Sequence, residues 1–162
     1  MTSVGSSRIA GLVETLRRNV NVTQKNLAGV TQEASLLSVA QGGSTLNWVI
    51  GHIVATRDNM LQALDTETTW DSERGRKYRS GSSVPLGHEV DETSELLLEL
   101  GRSQVLLEAA LGGATEALLA EPSGQDELSR LEWLEFLAWH DTYHVGQTAV
   151  YRRLAGLTGT LG

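Results

Sequence analysis

Cysteine is absent from the 162 residues. Disulfides, thiolate metal ligands and cysteine nucleophiles are therefore excluded, and any thiol chemistry must draw on a thiol from outside the chain. Proline is scarce: Pro85 and Pro122 are the only two, and both fall where the pattern reads as loop. Basic residues are in deficit, 13 against 20 acidic ones, for a net charge of −7. No basic stripe of the kind that follows a nucleic acid is present, so no nucleic-acid partner is expected. Long apolar runs are missing too. No window approaches the length of a membrane span, and the stretch MTSVGSSRIAGLVETLRRN has no unbroken apolar segment of a secretory signal. The expected location is the cytoplasm, with no membrane partner.

What is present is helical patterning. Apolar residues make up 40% of the chain, enough for one domain spanning residues 1–162 with a sizeable core. Apolar positions recur with a period near 3.6, and no segment alternates as a strand would. Four main helices are predicted. The first runs from about Arg8 to Leu27, with a short helix after Thr31 through Leu36 and Leu37. The second starts after GGS, with Ser44 or Thr45 as N-cap. The third runs from about Asp91 to Leu111 and is stopped by Gly112 and Gly113. The fourth runs from about Ser129 to Ala155 and is stopped by Gly156. Between the second and third lies a polar connection, residues 66–90, long enough to be a crossover or a functional loop. The fold class expected is all-α, a four-helix bundle.

Two of the four histidines sit in WHDTYHVGQ, residues 139–147. His140 and His144 are four apart, so in a helix they leave from one face. A helical wheel puts them with Trp133, Phe136, Leu137, Tyr143, Gln147, Tyr151 and Leu154, near the middle of the apolar stripe. Buried imidazoles need partners. A pair hydrogen-bonded within the core is one answer; the spacing is also a chelating arrangement on helices. HDTYH resembles the HExxH motif of zinc peptidases, with Asp141 in place of the catalytic Glu. That reading fails because residues 145–162 hold no His, Asp or Glu to serve as a downstream third ligand. Asp141 lies about a quarter-turn off the histidine line, which favours a flanking carboxylate over a catalytic base.

A third ligand must come from upstream. His88 lies in a Pro/Gly loop and reads as solvated. His52, within NWVIGHIVATRDNM, has small neighbours, Ala55 and Ala63, and a helix that can face the fourth one. Three neutral imidazoles from two helices would leave coordination positions open, the pattern of a reactive centre rather than a closed structural one. The basic cluster Arg74, Arg76, Lys77 and Arg79 in the connection reads either as solvated or as a seat for an anionic cosubstrate.

Taken together, GGSTLNWVIGHIVATRDNML, the loop segment YRSGS and EFLAWHDTYHVGQTAVYRRLAG resemble the DinB-like (YfiT-like) superfamily, whose pattern has one His in the second helix and an HxxxH pair in the last. These map onto His52, His140 and His144, followed by Gly146, Gln147 and Arg152 or Arg153. The resemblance implies a four-helix bundle of up-down-down-up order and a divalent metal held by the three histidines. It also implies frequent homodimers and, in some members, transfer of low-molecular-weight thiols such as bacillithiol, mycothiol or glutathione. The activity expected is a metal-dependent thiol transferase acting on a small-molecule substrate. Hydrolysis by activated water, or a non-catalytic metal-binding bundle associated with stress, are the alternatives. Zinc and nickel lead among the metals expected, with iron, manganese or cobalt also compatible. Asp141, Tyr143 and Gln147 are the candidate catalytic or orienting residues.

Overall fold

The computed structural model describes residues 4–160. The described residues are all-helical: seven α-helices and one 3₁₀ turn, with no strand among them. The helices are α1 (Val4–Leu27), α2 (Gln32–Ser35), α3 (Leu46–Ala63), α4 (Ser72–Lys77), α5 (Thr93–Gly113), α6 (Glu116–Ala120) and α7 (Arg130–Leu154). No described helix is long and apolar enough to cross a membrane.

Capping sets the starts. The Thr45 hydroxyl accepts from the Trp48 amide and opens α3. Ser129 and Glu132 form a reciprocal capping box that opens α7. Gly156 follows α7 with φ +78°, a left-handed conformation that closes the helix at little steric cost. Several details differ from the sequence expectation, α6 among them. Leu36 and Leu37 lie beyond α2 and are 40% and 43% exposed, because α2 ends at Ser35, whose hydroxyl turns back to the Gln32 carbonyl. Gly112 and Gly113 are the last turn of α5 rather than its stop. The connection 66–90 is not all loop: Asp71 accepts from the amides of Glu73 and Arg74 and nucleates α4.

The four long helices pack α3 against α5 and α7, and α1 against α7 and α5. α3 is buried along almost its whole length, from Leu46 to Leu61 with Asn59 the exception. The core has two apolar halves. One gathers Val20, Leu46, Ile50, Ile53, Leu100 and Val145. The other gathers Leu12, Leu16, Met60, Leu61, Leu107 and Leu134. Between them, in every long helix, falls a polar position. Arg57 of α3 pairs with Asp141 of α7 through Nε–Oδ1 and Nη2–Oδ2, both 3.1 Å, and both side chains are fully buried. Arg57 also donates to Gln104 of α5 at 2.9 Å and to the Leu16 carbonyl of α1 at 3.0 Å. Asn19 of α1 completes Asp141 at 2.8 Å. Each charge is answered by geometry as good as a buried pair requires.

Candidate metal centre

α3 and α7 bring His52, His140 and His144 together, with ligand atoms all within 4.8 Å of one another. His52 is 5% exposed, while the other two are half-buried. The wheel reading needs correction here. The buried stripe of α7 is Leu134, Leu137, Ala138, Asp141, Val145 and Thr148. The histidines stand on its shoulder, and the aromatic side of the helix looks outward: Phe136, Trp139 and Tyr143 are 43%, 62% and 56% exposed. A position on the shoulder suits a site that must be lined by protein on one side and reached by a small molecule on the other.

The opposite ring nitrogens fix how the imidazoles face. His52 Nδ1 lies 2.7 Å from the Tyr78 carbonyl oxygen, which can only accept. His144 Nδ1 lies 2.9 Å from Gln147 Oε1, which likewise only accepts. Both rings therefore carry their proton on Nδ1 and present a lone pair on Nε2. His144 Nε2 faces His140 Nε2 at 3.2 Å. His52 meets both partners edge to face, at centroid distances of 5.2 and 4.6 Å. In His52 and His144, an Nδ1 held by an oxygen acceptor and an unprotonated Nε2 are the arrangement in which neutral imidazoles ligate a metal. The donor set fits a divalent ion. His140 Nδ1 is buried with no partner among the described residues, and His140 Nε2 carries the proton that His144 Nε2 accepts, so this ring alone must change tautomer to ligate.

Burial, first among the causes, lowers the pKa of all three rings. His52 falls to about 4, with the neighbouring imidazoles adding to the effect and the Tyr78 carbonyl opposing it. In His140 the facing His144 adds to burial while Asp141 opposes it. In His144 the bond to Gln147 and the charge of Asp141 oppose it. Neutral rings at neutral pH are the form that ligates.

Several supports went unread in the sequence. Trp48, one turn before His52, stacks on its ring at 4.7 Å and 9°. Its indole in turn donates to Ser82 at 3.1 Å. Gly51 has no side chain because the Tyr78 ring lies against it; a Cβ there would overlap the ring. Thus YRSGS, residues 78–82, supports His52 twice, at its Nδ1 edge through Tyr78 and at its stacked face through Ser82 and Trp48. The signal available was Gly51, the one glycine of α3, beside a histidine. Among the candidates, Gln147 touches His144 directly. Tyr143 packs edge-on to His144 at 5.1 Å with an exposed ring. Asp141 faces Arg57 and Asn19 inside the core. His88 is exposed in the turn Gly87–Glu89, and lines a separate cavity of about 640 Å³ with Arg74 and Lys77. Arg152, of the two arginines in the tail, is the buried one. It donates to the Asn26 and Ala28 carbonyls at 3.0 and 2.6 Å, closing the end of α1.

An all-helical protein with three convergent imidazoles on two helices is the class that fold and site define. The chain belongs to the DinB superfamily, whose family model matches residues 15–148. Among solved structures it is similar to a conserved protein from Enterococcus faecalis. The two share 19% sequence identity and a TM-score of 0.73, over 96% of this chain and 98% of that one, a likeness of fold. No curated protein matches.

Proposed function

We propose that the protein is a metal-dependent transferase that uses a low-molecular-weight thiol, with His52, His140 and His144 as the ligands of a divalent ion. The observation that carries the reading is the pair of Nδ1 hydrogen bonds, to the Tyr78 carbonyl and Gln147, which leave lone pairs on Nε2 of His52 and His144, in a cluster whose ligand atoms lie within 4.8 Å of one another. A divalent ion held by His52, His140 and His144 would supply the chemistry that lowers the pKa of a thiol for attack on an electrophile.

The chain's own residues favour a thiol over water. No carboxylate joins the histidine cluster among the described residues. Asp141, the one acid next to the pair in sequence, is fully buried and turned to Arg57. A thiol, ordinarily ionising near about 8.5, needs far less help than water at about 15.7. Gln147 holds the His144 ring, and Tyr143 at the rim has a hydroxyl free to orient a small-molecule substrate. Three nitrogen ligands without oxygen ones suit zinc or nickel, then cobalt or iron, ahead of manganese.

The same reading takes the long helices as a four-helix bundle in up-down-down-up order. Arg8 with Glu135 and Asn26 with Thr148 support α1 and α7 ascending together. Tyr151 with Ser44 and Arg130 with Ala63 support α3 running against α7. We take the cytoplasm as the location. The exposed Trp139, Tyr143 and Val150 offer a second copy an apolar face for a homodimer.

The test is conjugation. Untagged protein, loaded with zinc or nickel, is incubated with monochlorobimane and glutathione, mycothiol or bacillithiol in turn. Metal-dependent conjugation is expected with one of them. His140→Ala and His144→Ala should lose both stoichiometric metal and conjugation, while His88→Ala keeps both. No rate above the metal-free protein with any thiol would remove the transferase reading; metal retained by both histidine variants would remove the ligand set.

A further inference from the structure

A small cavity begins one turn of α3 beyond His52, at Ala55. It measures about 130 Å³ and is lined by Ala55, Asn59 and Gln62 of α3 and by Trp70 and Arg79 of the connection, among others. Its floor continues the site: Ala55 and Asn59 follow His52 by three and seven residues, on the same side of α3. Its wall continues it too, because Arg79 is joined by a peptide bond to Tyr78, whose carbonyl holds His52 at 2.7 Å.

Its polar lining holds two free donors beside two acids. The Arg79 guanidinium has no ion-pair or hydrogen-bond partner among the described residues, unlike Arg74, which pairs with Glu99, and Lys77, which pairs with Asp91. The Trp70 indole N–H is buried, in a side chain 5% exposed, and has no acceptor. A buried N–H without an acceptor is costly and calls for one. Two acids also line the cavity, and both are engaged with backbone amides. Asp58 accepts from Thr69 and Trp70 at 2.6 and 3.1 Å, and Asp71 accepts from Glu73 and Arg74 at 3.0 and 2.8 Å. Three neutral imidazoles would leave the charge of a bound divalent ion whole, which would further favour an anion nearby.

We infer that this cavity seats a carboxylate, gripped by Arg79 and the Trp70 indole N–H, so that the protein takes carboxylate-bearing substrates whose reacting group lies at the histidines. The link to the chemistry rests on the metal-centre reading; the anion seat rests on the cavity. Binding a carboxylate gives the indole N–H its acceptor and pairs the one unpartnered cation on this wall. A substrate gripped there would lie along α3 from Asn59 towards His52.

The experiment follows the indole N–H resonances of the purified protein by NMR, before and after zinc loading. Trp70→Phe identifies the resonance of Trp70 by its loss. Titration with propionate should shift that resonance saturably; propionamide, of equal size and no charge, should not. Arg79→Gln, at an exposed residue without partners, should weaken the propionate response by about tenfold. Absence of a saturable shift, an equal response to propionamide, or an undiminished response in Arg79→Gln would overturn the carboxylate seat. Elemental analysis of the same samples keeps the two readings apart. Zinc bound with no propionate shift removes the seat alone. A propionate shift with no zinc bound removes the metal centre and leaves the seat.

Discussion

Gln147 shows how much a single residue carries here. It is an exposed-looking amide in a helix, yet its oxygen decides which nitrogen of His144 holds the proton. Gln147→Ala frees that choice and lets the ring rotate. The expected outcome is zinc affinity weaker by about 10–100-fold with the fold intact, read by competition with a chromophoric chelator. Unchanged affinity would mean that the hydrogen bond plays no part in ligation. Asp141 makes the opposite case. Removing it leaves Arg57 charged and unpaired in the core, so Asp141→Ala should destabilise the protein by about 3–5 kcal/mol. Urea unfolding measures this; a loss under about 1 kcal/mol would contradict a fully buried pair. The sequence placed Asp141 beside the histidines, and its real partner sits on another helix, 84 residues away. Arg57 was the available sign: a lone cation in the middle of an apolar helix has to be answered by an acid somewhere.

At the level of elements, the helices and the three histidines were legible because helix periodicity and capping are local properties. Thr45, Ser129 and Gly156 mark boundaries within reach of a few residues of chain. The face of α7 was less legible. Trp133, Phe136 and Tyr143 gave the wheel its aromatic weight, but aromatic rings tolerate a half-exposed position, and the core instead takes the leucines with Asp141 and Thr148 among them. The connection was the least legible element. Its role depends on where residues 70–82 return to α3, and no local pattern records that return. Gly51 is the contact point. Gly51→Ala would suit a helix by propensity, yet its methyl group must displace the Tyr78 ring. The expected result is a loss of about 1–3 kcal/mol in stability. It should come with weaker zinc binding, because the carbonyl that holds His52 moves with the ring. A stabilised protein with unchanged zinc affinity would show that the loop adapts freely.

For the molecule as a whole, the three imidazoles form a pH-dependent load on the metal-free fold. Their folded pKa values lie below the ordinary value, His52 at about 4 against 6.5. Between those limits the unfolded chain binds more protons than the folded one, so stability rises with pH across the window and is lost as pH falls through it. The urea midpoint of the metal-free protein should therefore drop between about pH 6.5 and 4, and His52→Gln should flatten the drop. An equal slope in the variant would place the titration elsewhere. Protons and metal compete for the same nitrogens, so metal release should follow in the same direction as pH falls.

The ion pair between Arg57 and Asp141 has one more consequence, for aim. His140 precedes Asp141 directly, and a helix turns about 100° per residue. Whatever fixes the rotation of α7 about its axis also fixes the bearing of the histidines. α7 cannot roll without pulling Asp141 off the guanidinium, which α1, α3 and α5 all hold through Leu16, the Arg57 backbone itself and Gln104. The dry interior thus clocks the helix like a key in a slot. The precision of a half-open centre on the surface is set by an interaction that neither solvent nor substrate touches.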